Sequence, residues 1–419
     1  MPKDDTAKES FPRYQGWTVV AAAFIGVMVS FAAIVPYTFS LFLASLHAEF
    51  GWKREAISGT FGIAAITVAV FSPGIGLLLD RYPPRRVILP CIVVFSIALL
   101  SLSRLTPHLG RFYFTYFVLG VVGNGTAQLS YSKAVLTWFK ERRGAALALM
   151  LTGGGVGSVL LPLITQHVIQ HNGWRAGYLT LGLLALLGLP MTALFMRNKP
   201  GRQTSVVDVK ASMTIREVFK TRTFWILAGT ILLGAFGANG VLSHLAALLS
   251  ERGISGTETA VALSCLGAAG IAGRLLTGWL LDHFYAPAIS LIMFLLCATG
   301  ITLFAYASNA AMGVAGALLL GFGMGSEGDI GPYLIATYFG RERFGTIYGL
   351  TWTAYAIGGA TGPVLTGHLY DHASAYRPSA ILFLAFTAVV AAAMNLLLPK
   401  YRSAHEVVSA VTLEPAIAE

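Results

Sequence analysis

The sequence has 419 residues, of which 55% are hydrophobic and 11% are charged, and its mean hydropathy is +0.69. This balance excludes a soluble globular protein and indicates a polytopic membrane protein. The formal net charge of +10 would suit a nucleic-acid-binding protein if the basic residues formed a patch on a soluble face. They lie instead in the loops between apolar segments, so we predict no nucleic-acid partner.

Apolar windows long enough to cross a bilayer follow one another along the chain. There are twelve of them, at residues 17–46, 56–79, 87–106, 112–138, 144–170, 175–196, 223–250, 258–281, 288–306, 310–338, 345–370 and 377–398. The first window is longer than a signal-peptide core and no small-residue cleavage site follows it, so we expect it to remain as the first span. The predicted fold class is an all-α membrane protein with twelve transmembrane helices.

Lysine and arginine residues are divided unevenly between the two sets of loops. One set, which contains both termini and the segment 197–222, holds 20 of them, and the opposite set holds 7. The positive-inside rule places the first set, with both termini, in the cytoplasm. We therefore predict an integral membrane protein of a bacterial plasma (inner) membrane.

The chain contains an internal repeat with a period of about 200 residues. Three landmarks recur on the same side of matched spans: GLLLDR at 76–81 and GWLLDH at 278–283, WF at 138–139 and YF at 338–339, and GWR at 173–175 and AYR at 375–377. Such a period implies two pseudo-symmetric six-helix bundles. The predicted divisions are a tail at 1–16, halves at 17–196 and 223–398, a polar cationic linker at 197–222 and a tail at 399–419.

The repeated loop sequences resemble those of a known family. GLLLDRYPPRR at 76–86 is similar to the signature between the second and third helices of the major facilitator superfamily, and GWLLDHF at 278–284 looks like its weaker second copy. WFKERRGAALALMLTGGGVGS at 138–158, GWR, and RFGTIYG at 343–349 resemble the monocarboxylate transporter and oxalate/formate antiporter branch. The resemblance covers nearly all of 17–398 and implies the major facilitator fold. Pro83 departs from the signature, which usually has Gly there.

The functional prediction depends on Arg274. It lies eight residues before Asp282, so at ~1.5 Å per residue it is roughly 12 Å inside the helix end and close to the midplane of a ~30 Å bilayer core. A charge at that depth marks a substrate or ion pathway, and a guanidinium matches the two oxygens of a carboxylate. The resemblance implies that this Arg binds the substrate carboxylate; the alternative is a structural pair with a buried acid. Gly270 stands where monocarboxylate transporters usually carry Asp.

Three titratable residues are candidates for proton coupling: Glu327 and Asp329 in the tenth window and His244 in the seventh. An acid that is neutral while Arg274 holds substrate, and ionised when Arg274 is empty, would couple proton movement to the anion. Their spacing puts the two acids on different helix faces. We favour Asp329, which shares a face with Tyr333, as the cavity-lining acid; the reverse assignment with Glu327 stays open. His244 either accepts a proton or makes an interhelical hydrogen bond.

Neutral side chains complete the predicted substrate site: Tyr37, Asn124 and Gln128 in the first half, and Tyr333 and Tyr355 in the second. Asn124 and Gln128 are expected one turn apart on one helix face. Tyr37 and Tyr355 fall where members of the resembling branch carry Lys. One deep cation instead of two favours a monocarboxylate over a dicarboxylate.

Charged residues at the loop ends are predicted to form a cytoplasmic gate. The resemblance implies an inter-helix charge network that holds one conformation and is released in the other, made by Asp80, Arg81, Arg85, Arg143, Asp282 and Arg343. Lys133 lies nearer the cytoplasmic end of its span, where a long side chain reaches the interface; a substrate contact is the alternative.

Other motifs point away from catalysis. The His167/His171 and His368/His372 pairs lack a fixed third ligand, so no metal is predicted. GGGVGS at 153–158 is followed by no GK[ST] and lies within a span, which excludes a nucleotide loop. No nucleophile, base and orienting group are arranged as an enzyme requires. We predict no enzymatic activity and no cofactor.

These observations predict a secondary active transporter of a small organic monoanion, a monocarboxylate, that works by alternating access. Proton symport is the expected coupling, and exchange of organic anions, as in oxalate/formate antiport, is the alternative. A multidrug exporter is a further alternative, and an enzyme or receptor is the rival from outside transport. The predicted partners are the anion, protons and the lipid bilayer, and the sequence is compatible with a monomer.

Overall fold

The computed structural model describes residues 15–139, 141–196, 214–373 and 375–401. Within these ranges the chain forms helices and no strand. The predicted tails, apart from a few residues, and most of the linker lie outside the described residues. The helices are α1 Gly16–Met28, α2 Phe31–Phe50, α3 Arg54–Arg81, α4 Pro84–Leu102, α5 Leu109–Thr126, α6 Gln128–Trp138, α7 Arg143–Leu186, α8 Gly188–Phe195, α9 Ile215–Lys220, α10 Arg222–Leu242, α11 Leu245–Glu251, α12 Gly256–His283, α13 Ala286–Ala305, α14 Ala310–Tyr338, α15 Phe344–Ala373 and α16 Pro378–Met394, followed by a 3₁₀ turn at Asn395–Leu397.

Each of the twelve predicted windows is mainly helical. Among the described residues, nine helical runs are long and apolar enough to cross a membrane. Three differences account for the number being nine and not twelve. The windows 144–170 and 175–196 form one continuous run, and the window 112–138 is divided between two shorter helices. The helix α15 is less apolar than these nine runs. The predicted linker contains a short helix, α9, immediately before α10.

Several predicted spans are interrupted near their middle. The backbone is extended at Ser30 between α1 and α2 and at Ala127 between α5 and α6. The two breaks lie side by side, since the Phe31 backbone N–H donates to Thr126 Oγ1 at 3.3 Å. In hydrocarbon, backbone groups released by a break need protein partners, and Thr126 supplies one. The prediction that Asn124 and Gln128 share one helix face is therefore wrong, because the break separates them.

The boundary between the fifth and sixth windows is a bend within α7. Gly173 has φ +81°, a left-handed conformation that glycine adopts without a steric penalty. Directly after it, Trp174 Nε1 donates to Glu49 Oε2 at 2.6 Å and Arg175 donates to both oxygens of the same carboxylate. The Arg175 guanidinium also lies over the Trp174 ring, 4.3 Å from its centroid. These contacts fix the sixth span against the end of α2.

Contacts divide the chain into two units. The first comprises Met1–Phe139, Leu149–Thr214 and Phe339–Thr353, and the second comprises Lys140–Ala148, Ile215–Tyr338 and Ala354–Glu419. The core of the first unit contains large aromatic side chains, including Phe42, Phe95, Phe112 and Tyr178. The core of the second is more aliphatic and contains Leu248, Ile301, Leu320 and Leu384. The predicted domain boundaries stay a prediction.

In the second unit, α12 and α14 pack with their backbones in close contact. A Cβ atom on Gly273 would clash with the carbonyl oxygen of Phe322, and one on Gly325 would clash with that of Gly270. Small residues at a helix interface allow this approach, which gains van der Waals contact where lipid offers no hydrophobic driving force. The approach places Arg274 of α12 beside the Gly325 carbonyl of α14.

We predict that Gly273→Ala destabilises the protein by about 1–3 kcal/mol, because the added methyl group must separate α12 from α14. Gly267→Ala on the same helix is the matched control, since a Cβ there meets nothing within 4 Å. The control is expected to be neutral or to stabilise by up to about 1 kcal/mol. Thermal unfolding of both variants in detergent measures the difference; equal melting temperatures would contradict the packing argument.

Candidate functional site

Arg274 lies at the contact between α12 and α14. Its Nε donates to the carbonyl oxygen of Gly325 at 3.2 Å and lies 4.0 Å from Asp329 Oδ2. The side chain remains 21% exposed. One turn further on, the hydroxyl groups of Thr277 and Ser326 are hydrogen-bonded at 2.7 Å. The side chain is thus held by one face of α14 while part of it stays exposed.

Asp329 is fully buried, with 0% of its side chain exposed. Neither carboxyl oxygen has a hydrogen-bond partner within the described part of the chain. The prediction that Asp329 lines a cavity is wrong for this conformation, because the close packing of α12 on α14 covers the carboxyl group. The 4.0 Å separation from Arg274 brings the two groups into ion-pair range without a hydrogen bond.

Glu327 faces a different neighbour. It lies within electrostatic range of Cys297 on α13, whereas Asp329 faces α12. The residue is half-buried, and its Oε1 is buried without a hydrogen-bond partner among the residues that the structure describes. The two acids therefore occupy different faces of α14, the arrangement that their spacing predicts.

His244 lies at the break between α10 and α11, outside regular helix. Nδ1 is 3.0 Å from the Tyr376 hydroxyl and Nε2 is 3.1 Å from the Pro363 carbonyl oxygen. Because a carbonyl only accepts, Nε2 carries a proton and Nδ1 is left for the Tyr376 hydroxyl. Both ring nitrogens are thereby engaged away from Arg274 and the two acids of α14. The expectation that His244 belongs with those charges does not match this geometry.

The neutral candidates have varied environments. Asn124 is buried and donates through Nδ2 to Ser72 Oγ, so its amide is engaged within the first unit. Tyr333 lies within electrostatic range of Asp282 and Arg143, towards the end of α12 that is distant from Arg274. Tyr37 is exposed on α2, while Gln128 and Tyr355 are half-buried.

The Asp80 carboxylate binds the beginning of α15. It accepts hydrogen bonds from the backbone N–H groups of Gly345 and Thr346, both at 2.8 Å, and from the Thr346 hydroxyl at 2.6 Å. A carboxylate at a helix N-terminus satisfies otherwise unpaired N–H groups and complements the positive end of the helix dipole. Lys133 Nζ forms an ion pair with Asp80 Oδ1.

Asp282 makes the corresponding contacts in the second unit. It accepts from the backbone N–H groups of Gly144 at 2.7 Å and Ala145 at 2.9 Å, at the beginning of α7. Arg143 lies within electrostatic range of it, as Arg343 does of Lys133. The repeated loop aspartates therefore have the same role, each holding the first turn of a helix.

Two predictions about the gate need correction. The Lys133 side chain does not extend to the interface: it is 11% exposed and paired with Asp80, since a buried carboxylate is a nearer partner than water. Arg81 and Arg85 are exposed and make no side-chain ion pair within the described residues.

The sequence analysis missed the partners of the aspartates. Gly144, Ala145, Gly345 and Thr346 follow Arg143 and Arg343 in the repeated motif, and that repetition was the available signal. The sequence did not reveal that backbone N–H groups would be the main ligands. Among the described residues, no group of three or more His, Cys, Asp or Glu side chains is placed to hold an ion.

Comparison with known proteins identifies the class. The family model of the Major Facilitator Superfamily matches residues 17–363, and the chain belongs to this family of membrane transporters.

Individual relatives point to the same class of protein. Human monocarboxylate transporter 11 is 30% identical over 387 residues, which cover 88% of this chain and 79% of that protein. An uncharacterised MFS-type transporter of Escherichia coli, YhjX, is 24% identical over 79% of this chain and 83% of that protein. Among solved structures, the human organic anion transporter MFSD10 superposes with a TM-score of 0.71 at 15% identity, covering 91% of this chain and 99% of that one. The fucose:proton symporter of E. coli gives 0.68 at 16%, covering 91% and 98%. The structural matches show the major facilitator fold.

We predict that Asp80→Asn destabilises the protein by about 3–5 kcal/mol, because it removes the carboxylate with which the largely buried Lys133 ammonium pairs. Thr346→Val removes a single hydrogen bond to the same carboxylate and is expected to cost about 0.5–1.5 kcal/mol. Adding Lys133→Gln to Asp80→Asn should recover part of the larger loss. Thermal unfolding in detergent measures all three; equal losses for the two single variants would contradict the ion pair's importance.

Proposed function

We propose that this transporter carries a small organic monoanion, a monocarboxylate, and that Arg274 binds its carboxylate. The observation that carries the proposal is the environment of Arg274. Its guanidinium lies within a membrane span and is anchored through Nε to Gly325, and about one-fifth of the side chain is exposed. Charged groups at this depth belong to substrate or ion pathways, and a guanidinium offers a carboxylate two parallel hydrogen bonds.

Proton symport is the coupling that we infer, with Asp329 as the proton carrier. Its carboxyl group has no hydrogen-bond donor among the described residues, and Arg274 is the nearby counter-charge. When a carboxylate substrate binds Arg274, it competes with Asp329 for the same positive charge. An ionised carboxyl left buried without compensation costs several kcal/mol, and uptake of one proton by Asp329 removes that cost. Anion and proton then move together.

Similarity to monocarboxylate transporters 11 and 13 supports the substrate class. Arg274 is the deep cation of α12, which suits one carboxylate better than two. In the alternating-access scheme, Asp80 and Asp282 hold the first turns of α15 and α7 in one conformation and release them in the other. We place these contacts on the cytoplasmic side of a plasma membrane, following the distribution of Lys and Arg.

We expect Arg274→Lys to lower monocarboxylate uptake at least about tenfold. Lysine keeps the charge but lacks the planar fork, and a hydrogen bond to a charged group is worth about 1.5–3 kcal/mol. The measurement is uptake of a panel of labelled monocarboxylates into proteoliposomes. Arg111→Lys, at an exposed site, is the control and should transport normally. Normal kinetics for Arg274→Lys in a correctly folded protein would refute the site.

Asp329→Asn is expected to remove the stimulation of uptake by an inward proton gradient while exchange of internal for external anion continues. The amide cannot take up the proton that compensates for substrate on Arg274. Glu327→Gln is the matched control, because Glu327 faces α13, and it should retain the gradient response. If the pH profile of uptake is unchanged in Asp329→Asn, the coupling role moves to Glu327 or His244. If an inward proton gradient does not stimulate uptake by the wild type, anion exchange is favoured.

A further inference from the structure

A cavity of about 590 Å³ lies between α15 and α16, at the end of α15 distant from Asp80. Its lining is amphiphilic. One end holds the polar side chains of His372, Arg377 and Ser379, and the other is apolar, with Leu365, Leu369 and Phe383. Asp371, the acid next to His372, is not part of the lining. The cavity thus offers positive charge at one end and hydrocarbon contact along the rest.

The internal repeat shows that the cation at this cavity differs from its counterpart. Arg175 opens the sixth span, where it donates to both carboxylate oxygens of Glu49. Arg377 opens the twelfth span at the same place in the second half. There the corresponding acid, Glu251, accepts instead from the Tyr376 backbone N–H at 2.9 Å. The Arg377 side chain is exposed and has no ion-pair or hydrogen-bond partner among the described residues.

His372 contributes an acceptor. Its Nδ1 donates to the His368 carbonyl oxygen at 2.9 Å, so Nδ1 carries the proton and Nε2 is left to accept a hydrogen bond from a ligand. Ser379, in the first turn of α16, is exposed and contributes a hydroxyl group. The guanidinium of Arg377 and the hydroxyl group of Ser379 can both donate to a phosphate oxyanion, and His372 Nε2 beside them can accept from a hydroxyl group of a lipid headgroup.

The apolar part of the cavity faces lipid. Phe383 continues along α16 into Phe386 and Val389, three and six residues further on, and all three side chains are exposed. Such a stripe on a spanning helix contacts acyl chains. A cation at the end of a lipid-facing groove sits at headgroup level, where it attracts anionic lipids.

We propose that this groove binds an anionic phospholipid, with its phosphate on Arg377 and Ser379, a headgroup hydroxyl near His372, and an acyl chain along Leu365, Leu369 and Phe383. The site is separate from Arg274 and independent of the transported substrate. The amphiphilic lining favours a lipid over a free phosphate, because a free anion would leave the apolar half of the groove unused.

The test compares the full-length wild type with Arg377→Gln in detergent, using phosphatidylglycerol and phosphatidylcholine with identical acyl chains. Native mass spectrometry measures bound lipid, and thermal unfolding measures the stabilisation it gives. We expect the wild type to prefer phosphatidylglycerol, and Arg377→Gln to bind it about fivefold more weakly, the effect of removing one interfacial cation. Because Arg377 is exposed, the variant should fold normally.

Arg111→Gln, which removes an exposed cation outside the groove, is the matched control and should bind both lipids as the wild type does. Ala380→Trp, which fills the groove, should lower binding of both lipids. Equal binding of the two lipids by the wild type, or equal losses in Arg377→Gln and Arg111→Gln, would overturn the proposal. So would equal stabilisation by inorganic phosphate at the same concentration, which would assign the site to a free anion.

Discussion

The close approach of α12 and α14 is the constraint on which the candidate site depends. Glycines at the interface bring the two backbones together, so that the Gly325 carbonyl reaches Arg274 Nε at 3.2 Å. A guanidinium within a span needs polar neighbours to offset its desolvation. The Gly325 carbonyl oxygen and the Asp329 carboxyl group, 4.0 Å from Nε, supply such neighbours. Larger interface residues would separate the helices and leave the charge with fewer compensating groups.

Hydropathy was sufficient to predict the helices, because each span must satisfy its own backbone in hydrocarbon. It did not predict the breaks at Ser30, Ala127 and His244. The contacts seen at two of them come from residues distant in the sequence: Thr126 accepts from the Phe31 backbone N–H, and Tyr376 and Pro363 contact the His244 ring. The depth of Arg274 follows from counting residues. The burial of Asp329 does not, since it depends on how closely a second helix packs. The spacing in the sequence places Asp329 and Glu327 on different faces of α14. It does not predict which neighbouring helix packs against each face.

The repeated loop aspartates show how far the internal symmetry extends. Asp80 and Asp282 both accept from two consecutive backbone N–H groups at a helix N-terminus. The copies differ in what surrounds the carboxylate, since Asp80 also binds the Thr346 hydroxyl and Lys133. Asp282 has Arg143 within electrostatic range, so each carboxylate has a cation near it but a different one. The sequence repeat explains the shared contacts with the helix N-termini, and the differences come from Lys133 and from the hydroxyl group of Thr346.

The same reasoning applies to the two basic residues that open the sixth and twelfth spans. In the first half, Glu49 accepts hydrogen bonds from both Trp174 and Arg175, so the Arg175 cation helps to fix the sixth span against α2. In the second half, the start of the twelfth span is held through Tyr376. Its hydroxyl group is hydrogen-bonded to His244, and its backbone N–H donates to Glu251. Arg377 is then not required for that junction, and its charge is available to the groove. An exposed cation beside hydrocarbon gains most from a ligand that is anionic at one end and apolar at the other. The loss of symmetry at this junction therefore makes Arg377 available to a lipid, whereas Arg175 is paired with Glu49.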